Sequence, residues 1–190
     1  MQPKRQRLAE RPEIILDAAD AVLLRNGARG LTIDAVAAEA GLSKGGVLHH
    51  YNSKDALVAA LVARKLAKLR TGIAECEVSE TGERRSLARA MVAHFRQNLC
   101  ADDEISRALL LASIENPAAL ADYNGFVAER LDRLAAAEGG FGAGSVAFYA
   151  ILGIAMGRAL GLHDVPPEQF DAVFAALDRI AALDDPAAKA

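Results

Sequence analysis

Residues Thr32–Tyr51 read TIDAVAAEAGLSKGGVLHHY. Thr32 can cap a helix over Ile33–Ala40, and Asp34 suits the positive end of that helix. Gly41 breaks it, because glycine supplies the positive φ that a tight turn needs. Ser43 can cap a second short helix over Lys44–His50. Two short helices joined by Gly41-Leu42-Ser43 have the spacing of a DNA-binding helix-turn-helix. The other residues agree with it. Ala37 is small where the two helices would cross closely. Ile33, Val36, Leu42 and Val47 are apolar where the pair must pack on a preceding helix. The second helix keeps a polar face of Lys44, Gly45, His49 and His50, which fits a helix lying in the major groove. An ordinary helical hairpin with a glycine turn has the same spacing, so the flanks must decide.

Upstream, Ile15, Ala18, Ala19, Val22 and Leu23 form an apolar stripe at helical spacing, predicting a helix over about Pro12–Asn26 with Gly27 as its left-handed stop. Before it, Lys4, Arg5, Arg7 and Arg11 make a basic arm suited to phosphate or minor-groove contacts, although such arms are often only tails. Downstream, Ser53 can cap a fourth helix running to about Thr71, with Val58, Leu61, Val62, Leu66 and Leu69 on its apolar stripe. Ser53-Lys54 sets a capped helix start beside a cation, an arrangement that suits a phosphate.

The composition permits this reading. A chain of 190 residues, 52% hydrophobic, can bury a sizeable core. Its wealth of Ala and Leu, with no Trp and 5% aromatics, predicts an all-α fold. The net charge of −3 rules out a simple basic coat for nucleic acid, but the charge is uneven. Residues 1–55 carry 8 Lys/Arg and 7 Asp/Glu, whereas the remainder carries 14 and 18. The two cysteines, Cys76 and Cys100, have neither a close pairing nor a metal spacing. They fit a reduced, cytoplasmic compartment as free core thiols, with a redox switch as the less ordinary alternative. No leader is visible in Met1–Arg11. Val146–Leu162 is interrupted by Arg158 and glycines, so a core or interface helix is expected there and no membrane span.

With its flanks, the stretch Leu31–Leu57, LTIDAVAAEAGLSKGGVLHHYNSKDAL, resembles the N-terminal domain of TetR-type regulators. The residues that carry the resemblance are Thr32, the turn Ala40-Gly41-Leu42-Ser43, Gly45, Tyr51 and Ser53-Lys54-Asp55. It implies DNA contacts at Thr32, Lys44, Gly45, His49, His50, Tyr51 and Lys54. The candidate DNA face also takes in Ser43 and Gly46. Two positions depart from the family pattern. Gly46 stands where Thr or Ser is usual, and Leu48 where Tyr is common, which marks Leu48 as a packing residue. Adjacent glycines cost a helix about 1 kcal/mol each against Ala. Either close approach of the DNA backbone offsets that cost, or the helix firms up on binding.

The resemblance implies a domain over 1–52 for DNA binding, a connecting helix over 53–71, and a helical ligand-binding and dimerisation domain over 72–190. Amphipathic helices are expected over Glu83–Cys100, Asp102–Ile114, Pro117–Glu138, Gly144–Gly161 and Pro167–Leu183, with turns at Ser79–Gly82, Gly139-Gly140 and His163–Pro166. No metalloprotease helix, phosphate loop or nucleophile elbow occurs, so neither an enzyme nor a cofactor or metal is expected. Gly153, Gly157 and Gly161 recur every four residues, and Phe170, Val173, Phe174, Leu177 and Ile180 form a stripe on the next helix. These are the candidate dimer interface, the alternative being that both stripes fill the chain's own core. Met91, His94, Phe95 and Asn98 mix polar and apolar groups on one helix. Tyr123, Phe126, Val127 and Arg130 do so on another, and Tyr149 and Met156 add to them from the penultimate helix. These are the candidate ligand residues, each with an ordinary core role as its alternative.

The function implied is a repressor that binds a pseudo-palindromic double-stranded DNA operator as a homodimer and is released by a small organic effector. Two other readings remain: an unliganded architectural role on DNA, and an interaction module that no longer binds DNA.

Overall fold

Thr32, Ser43 and Ser53 each start a helix by the same device. Their hydroxyls accept hydrogen bonds from the backbone N–H of Ala35 at 3.1 Å, Gly46 at 3.1 Å and Ala56 at 3.0 Å. Each satisfies one of the N–H groups that a helix start leaves without a partner. The computed structural model describes residues 11–78, 85–98, 106–112, 116–138, 142–162 and 166–183. Several expected features lie outside them: the basic arm at Lys4, Arg5 and Arg7, Cys100, the turns at Ser79–Gly82 and Gly139-Gly140, His163 to Val165, and the tail Asp184–Ala190.

The helices are α1 (Arg11–Gly30), α2 (Ile33–Glu39), α3 (Lys44–His50), α4 (Lys54–Cys76), α5 (Leu87–Gln97), α6 (106–112), α7 (Ala121–Glu138, entered by a 3-10 turn over Pro117–Leu120), α8 (Ala143–Ala159) and α9 (Pro167–Ala182). Among the described residues no strand exceeds a single bridge residue, so the fold is all-α. Two helices outrun their sequence-based ends. Gly27 has the expected left-handed φ of 66°, yet a further turn follows it to Gly30. α4 continues past Thr71 because Ile73 and Cys76 carry its buried stripe another turn.

Two compact units are present, and the division falls inside α4. One unit runs to Lys65 and includes Arg107–Ala121. Its core is built by Ile15, Ala19 and Val22 of α1, Val36 of α2, Val47 of α3, and Leu57, Val58, Leu61 and Val62 of α4, all essentially buried. The second unit holds Leu66–Ser106 and Asp122–Ala190. Its core gathers Met91, Val92 and Phe95 of α5, Phe126 and Leu134 of α7, Phe148 and Ala155 of α8, and Phe170, Phe174 and Leu177 of α9.

Two positive-φ glycines close helices in the same way. Gly41, at φ 65°, follows α2, with Leu42 N–H donating to Ala37 O at 2.9 Å. Gly161, at φ 64°, follows α8, with Leu162 N–H donating to Gly157 O at 3.0 Å. Both are Schellman-type ends that only glycine enters without strain. No helix of the described residues is long and apolar enough to cross a membrane.

Candidate DNA-reading face and effector cavity

In the first unit, α3 is fastened by one buried side chain, Val47. The rest of its surface is open. Lys44, Gly45, Leu48 and His49 are exposed, while Gly46 and His50 are half-buried. Lys44 Nζ is 2.9 Å from Asp34 Oδ2, a pair exposed on both sides. Water screens such a pair, so it holds Lys44 only weakly and leaves it available to a stronger anion. The rings of His49 and His50 meet edge to face at 5.2 Å between centroids. Thr32 is exposed, and its hydroxyl is engaged in the cap of α2 just as Ser43 caps α3. Lys54 opens α4 and is half-buried. The Tyr51 hydroxyl turns inward and donates to Pro12 O at 3.4 Å. Burial raises the pKa of that phenol, Glu13 adds to the rise, and Arg64 opposes it.

Ion pairs fix the supports of this face. Arg25 of α1 grips Glu39 of α2, and the hydrogen bond it donates holds the Glu39 carboxyl below its ordinary pKa. Arg64 of α4 reaches back to α1, donating to Glu13 at 3.1 Å, Asp17 at 2.7 Å and Asp20 at 2.6 Å. Burial alone would lower the Arg64 pKa; hydrogen bonds to Glu13 and Asp17, with the charge of Asp20, more than reverse this, so its pKa is raised. Lys65 Nζ, nearly buried, lies 2.7 Å from the same Asp20 carboxylate.

The second unit holds a partly open cavity of about 50 Å³. α4 lends Leu69 and Ile73 to its wall, α5 lends Met91, His94 and Phe95, and α6 lends Ser106. α7 adds Tyr123 and Phe126, and α8 adds Phe148, Ile151, Leu152 and Ala155. Five of the sequence-predicted ligand residues thus come together: Met91, His94, Phe95, Tyr123 and Phe126. The other five stand outside the wall. Asn98 is bound to α5 itself, donating to His94 O at 2.9 Å with its amide nitrogen 3.3 Å from His94 Nδ1. Val127 packs on the core, and Met156 is half-buried. Tyr149 is 56% exposed. Arg130 is buried over the face of Phe126, its guanidinium carbon 5.0 Å from the ring centroid, with Arg70 at 5.1 Å from the same ring. Burial lowers the Arg130 pKa; Glu129, 3.4 Å away, opposes this, and Arg133 and Arg70 reinforce it. Sequence reading missed Ser106, a buried polar residue, and Leu69, Ile73, Phe148, Ile151, Leu152 and Ala155, which differ in no way from ordinary core residues.

His94 owes its place to a glycine. A methyl built on Gly72 of α4 would stand 2.3 Å from His94 Cε1 and 2.6 Å from its Nδ1, so the imidazole occupies the space where a side chain would be. Nothing in the sequence signals that contact.

The expected dimer residues separate. Phe170, Phe174 and Leu177 are covered by the chain's own core, and Gly157 is buried. Gly161 lies beyond the last turn of α8 as its cap. Val173 and Ile180 are half-buried, and Gly153 is exposed with nothing within 4 Å of a built Cβ. Val146, Tyr149 and Leu160 are each more than half exposed and fall with Gly153 at intervals of three, four and seven along α8 and its end, hence on one face.

Cys76 is a buried free thiol whose Sγ donates to Gln97 Oε1 at 3.6 Å. Burial pushes its pKa up, Arg85 pulls against this, and Glu75 adds to it. In a Cys100→Ser background, native Cys76 should alkylate with iodoacetamide at least about tenfold more slowly than the denatured chain, because the thiolate is the reactive form. Equal rates would revive a redox role.

Two family models match the chain in succession. One, described as bacterial regulatory proteins, tetR family, covers residues 15–61, and one described as tetracyclin repressor-like, C-terminal domain, covers 85–182. A solved transcriptional regulator from Rhodococcus sp. RHA1 is 25% identical over 90% of this chain and 94% of that one, with a TM-score of 0.69. A TetR-like regulator from the same organism is 21% identical, covering 95% and 96%, with a TM-score of 0.63. The multidrug binding protein EbrR, solved with ethidium, is 22% identical, covering 88% and 98%, with a TM-score of 0.62. No curated protein matches the chain by sequence.

Proposed function

This chain belongs to the TetR family of bacterial regulators, DNA-binding transcription factors and not enzymes, and from that premise we propose a cytoplasmic homodimeric repressor that leaves its operator when a small organic effector enters the second unit. The observation that carries this reading is the coexistence of an outward polar face on α3 with an apolar cavity whose wall includes α4. An apolar wall with a few polar groups, here His94, Ser106 and Tyr123, is what a small organic ligand needs. At about 50 Å³ the cavity is well below the roughly 300–1,000 Å³ of a ligand site, so the effector must widen it on entry. EbrR, of the same fold, was solved with such a molecule.

Two recognition helices are needed to read a pseudo-palindrome, so a dimer follows from the operator. The exposed face of Val146, Tyr149, Gly153 and Leu160 supplies its seam. Gly153→Arg should leave the protomer folded, since the space around it is open, and convert the dimer to monomer by light scattering. A dimer of unchanged affinity would place the seam elsewhere.

The effector acts by preferring one setting of α4, the helix that carries residues of both units. A coupling of about 1–3 kcal/mol lowers DNA affinity roughly 5- to 150-fold. The test is selection of duplexes from a random pool at near-physiological salt, followed by a screen for compounds that release the selected site. Enrichment of a pseudo-palindrome supports the proposal. Recovery of no enriched sequence would move the protein to a role independent of sequence-specific DNA.

A further inference from the structure

Three neighbouring positions on α3 stand out: two glycines, each of which weakens a helix, and a partly exposed leucine. A Cβ built on Gly45 meets nothing within 4 Å, and one on Gly46 meets only Ser43 Oγ at 3.4 Å and Leu42 Cβ at 3.8 Å. Neither glycine has a positive φ. The chain therefore demands neither, though each weakens the helix relative to alanine. Leu48, three residues after Gly45, is a large apolar side chain left 36% exposed. Exposed Ile14 and Leu24 show that a lone surface hydrophobe needs no explanation. Leu48 differs in its setting. Helical side chains lean toward the N-terminus, over positions i−3 and i−4. For Leu48 these are the bare backbone of Gly45 and the stem of Lys44, whose charged end is held 2.9 Å from Asp34. The result is a low apolar pad that starts at Leu48, just past the middle of the recognition helix, and runs back over its first turn, where base edges are met.

The apolar group that base edges offer in the major groove is the 5-methyl of thymine. We infer that Leu48, seated over Gly45, reads a thymine methyl in each half-site and so determines operator specificity. The absent side chains at Gly45 and Gly46 let the duplex come close enough for that contact. This rests on the DNA-reading role of α3 proposed above.

The experiment uses the full-length protein and its selected operator, with each thymidine replaced in turn by deoxyuridine and affinity read by fluorescence anisotropy. Wild type should show one thymine per half-site whose methyl is worth about fourfold in Kd, the value of one buried methyl-sized group. Leu48→Ala should bind thymine and uracil equally there while keeping its phosphate-borne affinity. Leu48→Met, still apolar, should retain most of the preference. A flat uracil scan in wild type, or the same methyl preference in Leu48→Ala, overturns the inference while the operator itself stands. Failure to select any operator overturns the DNA-reading role as well, and is seen before any uracil is introduced.

Discussion

Gly72→Ala lowers stability by up to about 2 kcal/mol, an overpacking cost of about 1–3 kcal/mol less a helix-forming benefit of about 1 kcal/mol. The sign is the informative part. In an open helix interior the same change stabilises by about 1 kcal/mol. Here the added methyl would stand 2.3 Å from His94 Cε1, and that imidazole is itself buried. Something must move. α4 is held along its length by Leu69 and Ile73, so the ring yields first, and the cavity of about 50 Å³ beside it is the available space. The variant should therefore lose effector response as well as stability, because the displaced imidazole fills the site. His94→Ala in the same chain removes the obstacle, and the double variant should recover most of the stability lost in Gly72→Ala. A thermodynamic cycle from denaturant melts of the four proteins, at one protomer concentration, measures the coupling. A Gly72→Ala protein more stable than wild type would mean that His94 swings aside freely and does not depend on the glycine for its seat.

The legible and illegible parts of this molecule divide along the range of the interactions that make them. The helix-turn-helix was legible because its determinants are local. Thr32, Ser43 and Ser53 act on backbone three residues away, and Gly41 acts on its own φ. The all-α class followed from composition, rich in Ala and Leu and poor in aromatics, with helical periodicity placing the individual elements. The cavity was half legible. His94 and Tyr123 stood out because they set polar groups among apolar neighbours such as Met91 and Phe126, whereas Leu152 and Ala155 are defined as wall only by what faces them. The α9 stripe illustrates the complementary failure. Periodicity shows that Phe170, Phe174 and Leu177 share a face but is silent on what covers it. The structure covers them with their own core and leaves Val146, Tyr149 and Gly153 outside. The spacing of Gly153, Gly157 and Gly161 was likewise real without meaning one surface, since Gly161 is a helix end. Leu48, expected to pack, is left 36% exposed, because on this seven-residue helix only Val47 is buried.

Asp20→Asn should cost about 3 kcal/mol, the lower end of the range for stripping one partner from a buried ion pair. Asp20 is the shared carboxylate of two cations. Its Oδ2 lies 2.6 Å from Arg64 Nη2 and 2.7 Å from Lys65 Nζ, and the two side chains are only 10% and 4% exposed. Asparagine preserves the shape and one acceptor oxygen, so what disappears is the charge. Arg64 keeps Glu13 and Asp17, but those carboxylates are 67% and 72% exposed and are screened by water. Lys65 is the more deeply buried of the two cations, and burial makes its charge expensive wherever the attraction is weakened. Two controls separate this account from a general sensitivity of α1. Asp17→Asn, at an exposed partner of the same arginine, should cost no more than about 0.5–1 kcal/mol. Lys65→Met placed on Asp20→Asn should restore part of the loss, since an apolar chain of similar length removes a buried charge whose attraction had been weakened. If Asp17→Asn and Asp20→Asn proved equal in denaturant melts, the network would act as diffuse surface charge, and α4 would be held to α1 by its apolar stripe of Leu57, Leu61 and Val62 alone.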